Sequence, residues 1–232
     1  MNLRHIIDLS HPLDRNTPVY PGDPTFHCSQ FCTVAEDRFA VQKLELSSHA
    51  GTHIDTPSHR FDNLPSIDTF PISHFIRRAL VIDVSHKGAR QPITVQDLAK
   101  YHDKIQEGMA VLFMTGWSKF WEDKEYKYFD SPWLERAVAQ HLVDLGVKVV
   151  GIDAMSPDQM PRVPVLDEET YDLGVHDIVL GAGCIIAENL TNLETLMKIQ
   201  NTSPEVKIMV SLVPHKIVGC DGSPVRAYAW TE

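Results

Sequence analysis

The sequence predicts a single mixed α/β domain. Its 232 residues contain no internal repeat, no low-complexity tract and no linker that would divide them into two domains. A hydrophobic content of 43% is enough to build a sizeable core. Beyond residue 70, apolar runs rich in Val and Ile alternate with segments of helical periodicity. This alternation is typical of domains in which helices pack on a sheet.

The predicted strands lie mainly in the later part of the chain. The first seventy residues are rich in proline and predict only short strands, with no helix. After them, five apolar runs bounded by turn residues have the length and composition of buried strands. These runs are residues 79–85, 110–115, 147–153, 184–187 and 206–213.

Three helices are predicted between these strands. The first begins at Thr94. The second spans 131–146. A Ser-Pro pair supplies its N-cap and a proline in the first turn, and a glycine ends it. The third spans 191–198, where Thr and Glu have the spacing of a capping box.

Composition excludes several classes of function. The net charge of −10 argues against nucleic-acid binding, which requires a basic surface. No apolar run is long enough to span a membrane, and the N-terminal residues lack a signal-peptide pattern, so a cytoplasmic protein is expected. The four cysteines form no paired C-x-x-C motif and are interpreted as incidental thiols.

The segment 47–60 carries the strongest functional signal. Within eleven residues it places four side chains of the kinds that bind zinc, manganese or iron. They are His49, His53, Asp55 and His59. Gly51 and Pro57 argue against a helix here, which excludes the H-E-x-x-H type of site. Chance clustering among the twelve histidines is the alternative.

An extended backbone with bends accounts best for this segment. At about 3.3 Å per residue, a straight strand would hold His49 and His59 roughly 33 Å apart, too far to share an ion. A bend at Gly51 brings His49 back to His53 and Asp55. His59 lies beyond Pro57 and suits proton transfer near the metal better than ligation.

Two later carboxylates each allow two interpretations. Glu188 follows the apolar run 184–187, and a buried carboxylate is costly without a partner. It is either a ligand or a strand end in solvent. Asp153, also at a strand end, either orients a ligand or begins a turn. His176 lies far along the chain, and nothing in the sequence itself joins it to the first cluster.

The string His-Ala-Gly-Thr-His-Ile-Asp-Thr-Pro-Ser-His at 49–59 matches the signature H-x-G-T-H-x-D-x-P-x-H. On this string the chain resembles the cyclase-like metal-dependent hydrolases, which include bacterial-type kynurenine formamidases and isatin hydrolases. The resemblance extends to residues 7–13, 17–23, 150–153 and 176–193. It implies a swivelling β/β/α fold and a homodimer or higher homo-oligomer.

The resemblance also implies roles for single residues. His49, His53 and Asp55 correspond to the first metal ligands, with Asp55 able to bridge two ions. The later ligands correspond to His176 and Glu188. The catalytic acid and base corresponds to His59. Tyr20 is placed at the substrate, where kynurenine formamidases tend to carry Trp, and Arg60 stands where the family often has Phe.

These roles predict a metal-dependent hydrolase. A divalent metal is expected, as one or two ions, with zinc preferred and manganese as the alternative. Metal-activated water would cleave the C–N bond of a small amide, as in an arylformamidase. The alternatives are ring opening of a cyclic amide, as in isatin hydrolase, and a metal-binding protein without activity. No G-x-S-x-G motif supports a serine hydrolase.

Overall fold

The computed structural model describes residues 6–123, 127–161, 172–203 and 205–232, and within them one large sheet organises the chain. Nine strands of the described residues form it: β1 (Ile7–Asp8), β4 (His53–Asp55), β5 (Ile76–Asp83), β7 (Ala110–Met114), β9 (Val149–Ile152), β10 (Ile185–Glu188), β11 (Ile208–Ser211), β12 (Gly222–Pro224) and β13 (Tyr228–Thr231). Their order is β1, β13, β11, β5, β7, β9, β10, β4, β12. The predicted mixed α/β class is confirmed.

Four parallel strands form the centre of this sheet. β7 pairs with β5 and with β9, and β9 pairs with β10. Strands β7, β9 and β10 are buried along their whole length, which explains their continuous apolar sequences. The five predicted strands are all present, as β5, β7, β9, β10 and β11, with their ends shifted by a few residues.

The short strand β4 lies between β10 and β12 and is antiparallel to both. In this register Glu188 pairs with His53, and Gly222 pairs with Asp55. Sheet pairing therefore brings two residues of the 47–60 segment next to the C-terminal part of the chain.

Two apolar cores cover the two faces of the sheet. Helices α2 (Arg136–Asp144) and α3 (Gly174–Gly181) contribute to one core, and α4 (Leu193–Thr202) contributes to the other. Successive residues of β5 alternate between them, as in any strand buried on both faces. No described helix combines the length and the apolar character that a membrane crossing requires.

Smaller elements complete the described structure. Strands β2 (His27–Cys32) and β3 (Val41–Glu45) form a separate hairpin, and β6 (Pro92–Ile93) pairs with β8 (Trp133–Leu134). Six 3₁₀ segments occur among the described residues: Pro57–His59, Ile67–Thr69, Ile72–Phe75, Val95–Lys104, Trp117–Phe120 and Lys127–Asp130.

Two helix predictions fail at their starting residues. Ser131 and Pro132 do not begin α2, because the next two residues pair with β6 and keep the chain extended as far as the N-cap Glu135. The capping box predicted at Thr191 is also absent. The backbone N–H of Thr191 donates to the carbonyl of Leu9, and α4 begins after Asn192.

Two further helix predictions need adjustment. The helix predicted at Thr94 is a 3₁₀ segment, and Thr94 forms a capping box with Asp97. Residues 6–70 contain one α-helical turn, α1 (Val34–Asp37), besides two 3₁₀ segments, and the sequence predicted no helix there. The α1 turn is capped by Thr33, whose hydroxyl accepts a hydrogen bond from the N–H of Glu36.

Candidate metal centre

Five side chains of metal-binding type meet where β4 lies beside β10. They are His49, His53, Asp55, His176 and Glu188. They come from the loop before β4, from β4 itself, from α3 and from the last residue of β10. All except His49 are buried, and His49 is only 13% exposed at its side chain. Charged groups at such depth require compensation by partners or by an ion.

The two carboxylates each face two directions. Asp55 Oδ1 lies 2.7 Å from His49 Nδ1 and 3.3 Å from His53 Nε2. Its second oxygen, Oδ2, lies 3.6 Å from His176 Nε2. Glu188 is placed in the same way, with Oε2 at 3.3 Å from His53 Nε2 and Oε1 at 3.4 Å from His176 Nε2. In each carboxylate, the two oxygens thus face different imidazole rings.

Several of these facing atoms have no hydrogen-bond partner. Among the described residues, His53 Nε2, Asp55 Oδ2 and Glu188 Oε1 are buried and make no hydrogen bond. His53 Nε2 lies 3.3 Å from Asp55 Oδ1, and Asp55 Oδ2 and Glu188 Oε1 lie 3.6 Å and 3.4 Å from His176 Nε2. These distances exceed those of strong charge-assisted hydrogen bonds, which are near 2.8 Å. Imidazole nitrogens and carboxylate oxygens that converge without bonding one another suit a divalent cation, so the residues present fit such an ion.

The outer nitrogen of each candidate ligand histidine is held by an oxygen. His53 Nδ1 lies 2.7 Å from the carbonyl of Gly51, and His176 Nδ1 lies 2.6 Å from Asp158 Oδ2. His49 Nε2 lies 2.8 Å from Asp221 Oδ2. A contact of this kind fixes the orientation and tautomer of a metal-binding imidazole and leaves its inner nitrogen free for the metal.

The electrostatics of the cluster favour positive charge. Burial lowers the pKa of both histidines, but the neighbouring carboxylates together outweigh it. Asp55 and Asp221 raise the pKa of His49 to about 9, and Asp55 and Glu188 raise that of His53 to about 10. Burial likewise opposes ionisation of Asp55, yet His53 and His49 hold the pKa of Asp55 well below its usual range. Protons therefore supply positive charge to the cluster when a metal does not.

His59 stands beside this cluster, at the end of the 3₁₀ segment Pro57–His59. Its ring lies 4.2 Å from that of His49 and 5.8 Å from that of His176, between centroids. The His59 Nδ1 atom is 3.1 Å from Asp221 Oδ2. The side chain is 29% exposed and lines the cavity at the cluster, so it can meet both a small molecule and solvent.

The cavity over the cluster also contains Tyr20, which the resemblance had placed at the substrate. Its other lining residues outside the histidines and carboxylates already described are Asp23, Met155, Ser156 and Leu173. Arg60 is not part of the lining. Its Nε donates to Asp177 Oδ1 at 2.9 Å and links the turn that carries His59 to helix α3.

Asp153 does not contact the five candidate ligands. Its carboxylate accepts hydrogen bonds from the N–H and hydroxyl of Thr115 and from the N–H of Gly116. The Asp153 carboxylate thus ties the end of β9 to the residues that follow β7.

Sequence reasoning missed the residues that hold the ligands in place. The Asp158 carboxylate accepts hydrogen bonds from the backbone N–H groups of Val175 and His176 and contacts Nδ1 of the His176 ring. Asn189 donates to the Gly51 carbonyl at 2.9 Å. Asp221 belongs to the loop before β12. No spacing rule links these residues to the 47–60 segment, because only tertiary contacts bring them there.

Comparisons with known proteins match most of the chain. The sequence profile of the Cyclase family matches residues 7–159. A kynurenine formamidase from Salinibacter ruber is 32% identical over 225 residues, which cover 96% of this chain and 95% of the relative.

Solved structures share the fold. An isatin hydrolase bound to the product analogue thioisatinate superposes with a TM-score of 0.83 at 22% identity, over 97% of this chain and 91% of that one. A protein described as a potential metal-dependent hydrolase with cyclase activity has a TM-score of 0.71 at 26% identity, over 97% of this chain and 96% of that one. The fold implied by the signature at 49–59 is confirmed.

Proposed function

Because this chain belongs to the Cyclase family, we propose that it is a metal-dependent hydrolase that cleaves the C–N bond of a small amide, in an arylformamidase-like reaction. The observation that carries the proposal is the position of Asp55 and Glu188. Each turns its two oxygens towards different imidazoles, and one oxygen of each is buried without a hydrogen bond. A site that only stapled the fold would be closed, whereas this one opens into a cavity that also holds His59.

The arrangement favours two ions. One group of candidate ligand atoms is His49 Nδ1, His53 Nε2 and Asp55 Oδ1, with Glu188 Oε2 3.3 Å from His53 Nε2. The other group is Asp55 Oδ2, His176 Nε2 and Glu188 Oε1. We propose zinc as the metal, since nitrogen and oxygen ligands in sets of three and four are typical of it, with manganese as the alternative. A bound divalent ion supplies a Lewis acid, which acidifies water and polarises a carbonyl.

His59 is the proposed proton-transfer residue. Its Nδ1 is occupied by Asp221, which leaves Nε2 as the nitrogen that exchanges protons in the cavity. Addition of water to an amide carbonyl releases a proton, and the C–N bond breaks only when the leaving nitrogen gains one. His59 performs both transfers, because its ring lines the cavity and its Nε2 can accept a proton and later donate it.

The substrate is held by the outer part of the cavity. Tyr20 is the proposed substrate-binding residue, and Met155 and Leu173 provide apolar contacts beside it. A tyrosine offers both a ring face and a hydroxyl, which suits an aromatic substrate with a polar substituent.

We also propose a cytoplasmic homodimer. In support of the dimer, the hairpin of β2 and β3, together with the segment that joins them and contains α1, exposes several large apolar side chains. They are Phe31, Val34, Phe39, Val41 and Leu44. A cluster of this kind is typical of a protein-protein interface. Light scattering coupled to size exclusion tests it, and a monomer at micromolar concentration overturns it.

The deciding experiment is hydrolysis of N-formylkynurenine by zinc-loaded protein, with isatin assayed in parallel. We expect turnover that disappears with a chelator and returns with metal. His59→Ala should lower kcat and keep the metal, while His53→Ala should lose metal. The exposed His86→Ala serves as the matched control and should change neither. Absence of turnover on both substrates by folded, metal-loaded protein overturns the proposal.

A further inference from the structure

One carboxylate outside the five candidate ligands contacts two of the histidines at once. Asp221 Oδ2 lies 2.8 Å from His49 Nε2 and 3.1 Å from His59 Nδ1. Its other oxygen, Oδ1, accepts a hydrogen bond of 2.9 Å from the hydroxyl of Ser48. Asp221 therefore joins a candidate metal ligand to the candidate proton-transfer residue, and the Ser48 hydroxyl restrains rotation of the carboxylate between them.

The backbone at Asp221 is fixed by the same strand pair that carries Asp55. Its carbonyl accepts hydrogen bonds from the N–H of Thr56 at 2.8 Å and from the Thr56 hydroxyl at 2.7 Å. The next residue, Gly222, pairs with Asp55 in the sheet. Backbone contacts thus fix the position of Asp221 relative to the candidate ligands, and its carboxylate contacts the two rings from this position.

Each of the two contacts has a definite chemical effect. His49 turns Nδ1 to Asp55 and Nε2 to Asp221, so a proton held between Nε2 and Asp221 leaves Nδ1 unprotonated for a metal. His59 donates its Nδ1 proton to Asp221, which leaves the lone pair on Nε2. One carboxylate oxygen selects the useful tautomer of both rings.

We propose that Asp221 is a positioning residue that holds His49 for metal binding and His59 for proton transfer. The part that concerns His59 rests on the proposed hydrolase function, whereas the part that concerns His49 requires only a metal site. Neither part assigns Asp221 a contact with the substrate.

The test compares Asp221→Ala with Asp68→Ala. Asp68 is the matched control because its Oδ1 accepts the N–H of Gly219 in the same loop, without contact to a histidine. Zn²⁺ affinity is measured by competition with a chromophoric chelator, which needs no activity. Loss of a carboxylate behind a metal-binding histidine weakens affinity by about 10–100-fold, and we expect this for Asp221→Ala only.

The effect on His59 is measured by kinetics and by NMR. At saturating zinc, Asp221→Ala should lower kcat by about 100-fold with KM little changed, since general acid-base catalysis contributes roughly 10²–10⁴-fold. Asp221→Asn, which keeps an acceptor oxygen, should recover part of this loss. In a His59→Ala background the Asp221→Ala change should have little further effect on kcat. In the parent protein, the ¹⁵N chemical shifts of the His59 imidazole should show a proton on Nδ1. In Asp221→Ala they should show two tautomers in exchange, with the proton on either nitrogen.

Three results overturn the proposal. The first is unchanged zinc affinity together with unchanged kcat. The second is a full additional loss of kcat in the His59→Ala background, since Asp221 would then act independently of His59. The third is loss of one equivalent of zinc at saturation, because His49, His59 and Asp221 atoms lie close enough to hold an ion and Asp221 would then be a ligand itself. A parent protein without hydrolase activity refutes the proposed function alone, since zinc affinity and NMR still test the positioning role.

Discussion

Removal of one buried hydroxyl behind the metal cluster, in Tyr128→Phe, should destabilise the protein without removing its metal. Tyr128 is 1% exposed, and its hydroxyl donates a hydrogen bond of 2.7 Å to Asn189 Oδ1. Burial raises the pKa of Tyr128 well above its usual range, so the hydroxyl remains a donor throughout the accessible pH range. The Asn189 amide in turn donates to the Gly51 carbonyl, which also holds His53.

The magnitude follows from the two groups that the hydrogen bond joins. Phenylalanine fills the same space, so no cavity contributes. A buried hydrogen bond contributes about 1 kcal/mol net, and an acceptor left unsatisfied costs about 1–3 kcal/mol. We expect the free energy of unfolding to fall by about 1–3 kcal/mol. The corresponding drop in Tm is roughly 2–4 °C for each kcal/mol in a chain of this length.

Urea denaturation of the metal-free protein measures this change directly. The midpoint should fall while the slope m stays constant, because the surface exposed on unfolding is the same. Tyr228→Phe is the control, since Tyr228 is 38% exposed and an exposed hydroxyl changes stability by less than about 0.5 kcal/mol. Equal midpoints for Tyr128→Phe and Tyr228→Phe would refute the reasoning. Zinc affinity of Tyr128→Phe should stay within about tenfold of the parent, because His53 keeps its own bond to Gly51.

Two further predictions concern the metal cluster. Gly222→Ala should weaken zinc binding while the protein stays folded. A Cβ at this position would lie 2.7 Å from the Ile54 carbonyl oxygen and 3.0 Å from His49 Cε1, and it would displace the His49 ring. Calorimetric titration with zinc tests this, and unchanged affinity contradicts it. The metal-free protein should lose stability as pH rises from about 6.5 to about 10. The pKa of His49 is raised to about 9 and that of His53 to about 10, so the folded state binds more protons than the unfolded state in this window, and that stabilisation disappears above it. The zinc-loaded protein lacks this loss because metal replaces the protons. The Tm difference between zinc-loaded and chelator-treated protein should therefore widen with pH, and a constant difference would contradict the pKa assignment.

Local sequence patterns were sufficient to predict the central strands and the convergence of the first candidate ligands. Strands β7, β9 and β10 are buried on both faces, so their position appears as continuous Val and Ile runs. The 47–60 segment is similarly local, since Gly51 has a positive φ of 64° and turns the chain so that His49 meets Asp55. Both features depend on residues within a few positions of each other, which a pattern can express.

Long-range pairing decided the features that the sequence did not predict. Ser131 and Pro132 have the chemistry of a helix start, but the two residues after them pair with β6, and this interaction outweighs the local preference. A long-range contact also explains why the sequence did not predict the role of Asp158. Nothing near it in sequence marks it as a partner of His176, and only the packing of α3 against its loop brings the two together.

The division between ligands and the groups that hold them has a physical basis. Ligand atoms must converge within a few ångströms, and a short bent segment such as 49–55 achieves this with its own covalent geometry. The outer nitrogen of a ligand ring points away from that centre, so its partner has to come from a surrounding element. Asp158 and Asp221 meet this requirement from the chain before α3 and the loop before β12. The candidate ligands at 49–55 are therefore readable as a motif, whereas His176, Glu188 and the groups that hold the ligand rings are brought to them only in the folded chain.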